Sequence, residues 1–282
     1  MNERSAEAMK EGVRADWSAR AAAWDRWSDE IAALADRFNQ PLLDAAGIAP
    51  GHRVLDIASG VGEPALTCAR RVGAQGRVTA TDLVPEMLEG ARRRATAAGL
   101  DNLDFEIADM EELPFAEHSF DRVVCRFGIM FSPRPEVALA ETRRVLRPGG
   151  RAAYLIWGPL EDTTMFKVLW SVMDRLMGPP EDAFTYPPFR FGEPGTLAPM
   201  MTAAGFAGVD ESELRFAPEV PAHLPFWRSP LEMTFAPRVE GLSETQRDEL
   251  EAAIVEGFAP YRDGEVYRLE AHVRIGRGDA PA

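Results

Sequence analysis

Between residues 53 and 157 short apolar runs alternate with stretches punctuated as helices, and that rhythm constrains the fold more than any other feature of the chain. Val54 to Ala58, Val78 to Ala80, Leu103 to Ile107, Val123 to Cys125 and Ala152 to Trp157 have the length and apolar content of strands buried on both faces. Pro64 and Gly73 bracket the first intervening helix, Pro85 and Gly99 the second, and Pro135 and the Arg147-Pro148-Gly149-Gly150 turn the third. Repeated strand–helix–strand units close as a mostly parallel sheet with right-handed crossovers and helices on both faces, so the expected class is α/β.

The flanks read differently. Trp24, Trp27, Ile31, Leu34 and Phe38 recur at steps of three and four, which predicts one face of a helix ending before Pro41. That stripe either packs into the core or closes over a ligand. After residue 158, Met165 to Met177 reads as a helix and Gly178 to Gly195, rich in Pro, Gly and aromatic residues, as a cap or lid. Val209 to Phe216 and Val266 to Ile275 are expected to be two closing strands. Between them Ser243-Glu244-Thr245-Gln246 is a capping box opening a helix through Phe258.

Composition narrows the function classes. Apolar residues make up 46% and charged residues 27% of the 282, enough for a core without disulfides or metal. The net charge of −14 opposes phosphate-backbone binding, so no nucleic-acid partner is expected. Cys68 and Cys125 have no Cys/His spacing suited to zinc, and buried reduced thiols are expected. No apolar run reaches the ~18 residues of a membrane span, and the expected location is cytoplasmic.

Val54 to Pro64 is a buried strand running into a glycine turn and then a helix opening on proline. Gly60 and Gly62 permit positive φ and close approach of a ligand to the backbone, while the helix start offers free N–H groups. A tight turn without a ligand explains the same two glycines. Asp82 follows the second strand, twenty residues after Gly62, where an acid can accept from both hydroxyls of a ribose or cap the helix opening at Pro85. Asp109, after the third strand, can accept from an adenine amino group or be a simple loop acid.

Taken together, Val54 to Pro64, Thr81-Asp82, Ala108-Asp109-Met110, Ser119-Phe120-Asp121 with Cys125-Arg126-Phe127-Gly128, and Val145-Leu146-Arg147-Pro148-Gly149-Gly150 resemble the class I S-adenosylmethionine-dependent methyltransferases, in particular the ubiquinone and menaquinone C-methyltransferase-like branch. The resemblance covers residues 50 to 160. It implies a Rossmann-like sheet with a helical cap, divided as an N-terminal helical lid (1–48), an S-adenosylmethionine-binding core (49–160) and an acceptor-side cap with closing strands of the same domain (161–282). It also implies that Asp56 and Gly60 hold the methionine part of the cofactor, Asp82 its ribose, Leu83 the adenine face, Asp109 and Met110 the adenine edge, and that Arg126 lies beside the methionine. Ala58 departs from the family, which has glycine there. The turn is expected to survive provided the Ala58 backbone does not need φ > 0.

The implied reaction is C- or O-methylation of a small apolar or aromatic acceptor, with Phe127, Trp157 and Tyr186 lining its pocket. No catalytic base is assigned, although His223 in the cap is the one histidine worth testing. Two other functions fit parts of the pattern. Gly60-x-Gly62-x-x-Ala65 satisfies the dinucleotide fingerprint of an NAD-dependent dehydrogenase, and a non-catalytic cofactor-binding protein could use the same fold.

Overall fold

The computed structural model describes residues 3–179 and 188–282. Two helices, α1 (Glu3–Arg26) and α2 (Ser28–Ala46), precede β1 (Arg53–Ile57), α3 (Ala65–Val72), β2 (Arg77–Asp82), α4 (Pro85–Ala97), β3 (Leu103–Ile107), β4 (Phe120–Arg126), α5 (Pro135–Val145) and β5 (Leu146–Trp157). The second half holds α6 (Thr164–Met177), α7 (Leu197–Ala203), β6 (Ala207–Phe216), β7 (Glu219–Pro221), α8 (Arg228–Met233), α9 (Ala236–Val239), α10 (Glu244–Phe258), β8 (Arg262–Asp263), β9 (Val266–Arg268) and β10 (Ala271–Asp279). Seven strands form the main sheet in the order β3-β2-β1-β4-β5-β10-β6. The first five are parallel, and β10 runs antiparallel to both β5 and β6.

Alternation along the central strands sends side chains to two cores. Leu55, Val123 and Tyr154 pack beneath α5 and α7, while Val54, Val124 and Leu155 meet α2 and α3. The strand order explains one departure from the sequence reading. β3 lies at the edge and not inside the sheet, so it is only partly covered, and Ile107 is 52% exposed.

A second departure is at Pro41, which lies inside α2 instead of ending it. A proline in a helix interior costs about 3 kcal/mol, but the next two residues, Leu42 and Leu43, are fully buried against the sheet. Each such burial stabilises by about 1.5–3 kcal/mol, enough to carry the helix through to its left-handed end at Gly47. The aromatic stripe also divides: the chain breaks between α1 and α2 at Trp27, and Leu34 faces solvent at 55% exposure.

Beyond β5, the helix and strand patterns settle into a cap with its own core. Phe235, Ile254 and Phe258 pack with Leu169 and Met173 of α6 and with Tyr267 of β9. Ser243 and Gln246 form both bonds of the capping box at the start of α10. The single strand expected over Val266 to Ile275 is two, β9 in a small sheet with β7 and β8, and β10 in the main sheet. No helix among the described residues is long and apolar enough to cross a membrane.

Candidate cofactor and acceptor site

A cavity opens where the parallel strands end, at the place where open α/β sheets bind ligands. Its floor is the glycine turn. Asp82 Oδ2 accepts from Gly60 N at 2.9 Å, and Oδ1 accepts from Val84 N at 3.0 Å, so one carboxylate joins the turn to the second strand. Asp82 therefore does have a local structural role, while retaining lone pairs on the cavity side. Burial pushes its carboxyl up to about 6, against the pull of its backbone partners. A Cβ on Gly60 would meet nothing within 4 Å, which leaves this backbone open to a ligand.

Gly62 is different, with φ at +108° and a hypothetical Cβ 2.2 Å from Leu66 Cδ1 and 3.3 Å from the Ala91 backbone. Gly62→Ala is expected to cost about 1–3 kcal/mol, read as a lower urea midpoint. The Ala58 expectation fails. Its φ is +56°, in the left-handed region, because β1 must turn sharply into the loop, and the neighbouring Gly128 offers the space its Cβ needs.

Asp56 is fully buried near Cys68 and lies within electrostatic reach of Arg126 and Glu63, two residues of the cavity wall. Desolvation pushes its carboxyl up to about 8. Since folding raises this pKa, the group favours the folded state below the ordinary carboxylate range, and that contribution is lost as pH rises through about 8. Asp56→Asn is accordingly expected to raise the melting temperature more at about pH 9 than at about pH 5.5, by differential scanning calorimetry.

At one end of the cavity Arg126 is joined by polar groups that the sequence motifs do not include. Arg126 lines the cavity and donates through Nη1 to Asn39 Oδ1 at 3.2 Å. Asn39 in turn donates to Glu63 at 2.9 Å, Thr67 donates to the same Glu63 oxygen at 2.7 Å, and Arg94 Nη2 lies 3.8 Å from the other. Glu63, Arg94 and Arg126 all reach the cavity wall. Arg126 was carried by its motif and Glu63 adjoins the glycine turn, whereas Asn39 and Arg94 are brought in by α2 and α4.

At the opposite end are Leu83, Asp109 and Met110, as well as Glu111. Asp109 Oδ1 accepts from Glu111 N at 2.8 Å and Oδ2 from Lys10 Nζ at 2.6 Å. Glu111 is buried, accepts from Ser132 and twice from Arg134, and these partners hold its carboxyl below the ordinary value despite desolvation. Lys10 belongs to α1 and has no counterpart in the motifs.

Aromatic rings form the remaining wall. Phe127 stacks on Trp157 with centroids 4.2 Å apart and planes 13° from parallel. Phe127 holds φ at +56°, a strained value for a bulky residue. Trp17, Trp24, Phe131 and Phe166 complete the aromatic lining among the described residues, whereas Phe226 and Trp227 belong to the cap core. Tyr186 and Phe184 lie outside the described residues. Among the described residues no histidine lines the cavity: His223 is exposed, His52 and His118 bond backbone, and His272 pairs with Asp162 at 2.9 Å.

The wall thus offers a carboxylate for vicinal hydroxyls, opposite charges for a zwitterionic amino acid, and an acidic end for an amino-bearing ring, a donor set that fits S-adenosylmethionine. A methyltransferase domain family model matches residues 54–150. The ubiquinone/menaquinone biosynthesis C-methyltransferase UbiE of Laribacter hongkongensis is 38% identical over 182 residues, 61% of this chain and 74% of that protein. The chain belongs to the class I S-adenosylmethionine-dependent methyltransferases.

UbiE of Cupriavidus taiwanensis is 40% identical over 140 residues, 47% of this chain, and the match spans 57% of that relative's length. The fold is shared with phosphoethanolamine N-methyltransferase 2 of Haemonchus contortus, solved in complex with S-adenosyl-L-methionine. That likeness has a TM-score of 0.54 at 19% identity and covers 86% of this chain and 52% of that one. Neither alternative function finds support. For the dehydrogenase, no second mononucleotide half follows β5 among the described residues, where β10 inserts antiparallel between β5 and β6.

Proposed function

We propose that the protein transfers a methyl group from S-adenosylmethionine to a small, flat aromatic acceptor, at a ring carbon or its hydroxyl. Stacked Phe127 and Trp157 carry this reading, since they face the cavity beside Arg126 and offer a platform to a planar ring. The C-methyltransferase names of the relatives favour carbon as the acceptor atom and a quinone-type ring as the acceptor.

The bound cofactor would supply a methyl group already activated by a sulfonium charge. Asp82 would hold the ribose, Leu83 the adenine face, Asp109 and Met110 the adenine edge, and Arg126 with Gly60 the methionine end. The polar wall would fix one reactant and the aromatic wall the other, so proximity and water exclusion supply most of the rate.

The test is incubation with methyl-labelled S-adenosylmethionine and a panel of quinols, phenols, amines and fatty acids, read by product mass. Label on an aromatic ring, at carbon or oxygen, is the expected result. Transfer only to amines or aliphatic acids would overturn the acceptor assignment.

A further inference from the structure

Helix α1 lies over the cavity, where the family resemblance implies an N-terminal lid, and its contacts there come from residues outside the motifs. Lys10, Val13, Arg14, Trp17 and Trp24 of this helix line the cavity directly. Trp17, Ala21 and Trp24 also pack on Val61, Val84 and Met87, so the helix roofs both the glycine turn and the start of α4.

The two ends of α1 are held differently. At its C-terminal end the Trp24 indole donates to the Met233 carbonyl at 3.3 Å, Arg26 pairs with Glu232 at 2.6 Å, and the Trp27 indole donates to the same carboxylate at 2.9 Å. Beyond the break at Trp27, α2 is fixed in the core by Leu42, Leu43 and Ala46. The N-terminal end depends on Lys10. Its ammonium is 2.6 Å from Asp109, 3.4 Å from Glu111 and 2.9 Å from Glu7, and its side chain is only 13% exposed.

From this geometry we infer that Lys10 latches the α1 lid, hinged at Trp27, over the cofactor, which makes Lys10 a positioning residue for cofactor exchange. The inference rests on the cofactor reading of the cavity. Asp109, the acid placed to accept from the adenine amino group, is also the acid that receives the latch, so closure of α1 is tied to the cofactor's own partner. When Lys10 is removed Asp109 loses one donor but keeps the Glu111 N–H on its other oxygen, and Glu111 keeps Ser132 and Arg134, so loss of the latch releases α1 while both acids stay held. A gate that opens more often speeds entry and exit together and leaves affinity nearly unchanged.

The experiment follows tryptophan fluorescence in stopped flow as S-adenosylhomocysteine binds and leaves, using the full chain, Lys10→Met and Lys10→Arg. Lys10→Met is expected to raise both association and dissociation rates at least about fivefold with Kd within about threefold. Salt is expected to accelerate exchange in the wild type and not in this variant. Lys10→Arg, which keeps the charge, should restore slow exchange. Unchanged rates with intact binding, or a weaker Kd at an unchanged association rate, would overturn the latch alone. Absence of binding by the wild type would remove the cofactor reading and the latch with it.

Discussion

Replacing Asp82 with alanine is expected to weaken S-adenosylhomocysteine binding at least tenfold while leaving the chain folded. A hydrogen bond to a charged group is worth about 1.5–3 kcal/mol, and two ribose hydroxyls would lose their acceptor together. The substitution also frees Gly60 N and Val84 N, a structural loss. Removing a carboxyl whose pKa burial has raised to about 6 offsets part of that loss at neutral pH. The same shift gives a pH signature. Since the ribose requires an accepting carboxylate, affinity should be flat above about pH 7 and fall about tenfold per unit once pH drops below about 6. Isothermal calorimetry across that range checks both statements, and the acid-side fall should be absent from Asp82→Ala.

Trp157→Ala is expected to abolish acceptor turnover or raise its KM strongly, with S-adenosylhomocysteine affinity within about threefold, under ~0.7 kcal/mol. The ring does more than line a pocket. Phe38, Phe127, Phe166 and Phe189 all lie within 6.1 Å of it, so truncation should also cost up to about 3–5 kcal/mol of stability. Trp157→Phe separates the two effects by keeping an aromatic ring with less area. Restored stability with a raised acceptor KM would assign the indole to the acceptor, whereas equal losses of cofactor and acceptor binding would assign it to the fold. Steady-state kinetics and a melting curve on the two variants decide this.

The core of the fold was legible because it is local. Val54 to Pro64 states strand, turn and helix in eleven residues, and Asp82 falls where the second strand must deliver an acid. Departures arose where packing outweighs local preference. Pro41 reads as a stop, yet Leu42 and Leu43 beyond it are buried deeply enough to carry the helix through. Ala58 occupies a left-handed position that favours glycine, and only the space beside Gly128 shows how. The missed residues, Lys10, Glu63 and Arg94, share one cause. Their partners are remote in sequence, Lys10 with Asp109 across ninety-nine positions, and no spacing rule connects them.

A crystal structure of the protein with S-adenosylhomocysteine tests the central claim most directly. Ribose hydroxyls are expected on Asp82, the adenine edge at Asp109 and Met110, the amino-acid end toward Arg126 and Glu63, and the sulfur facing the Phe127–Trp157 wall. Ligand bound outside this cavity, or inside it with the adenine against the aromatic wall, would contradict the account.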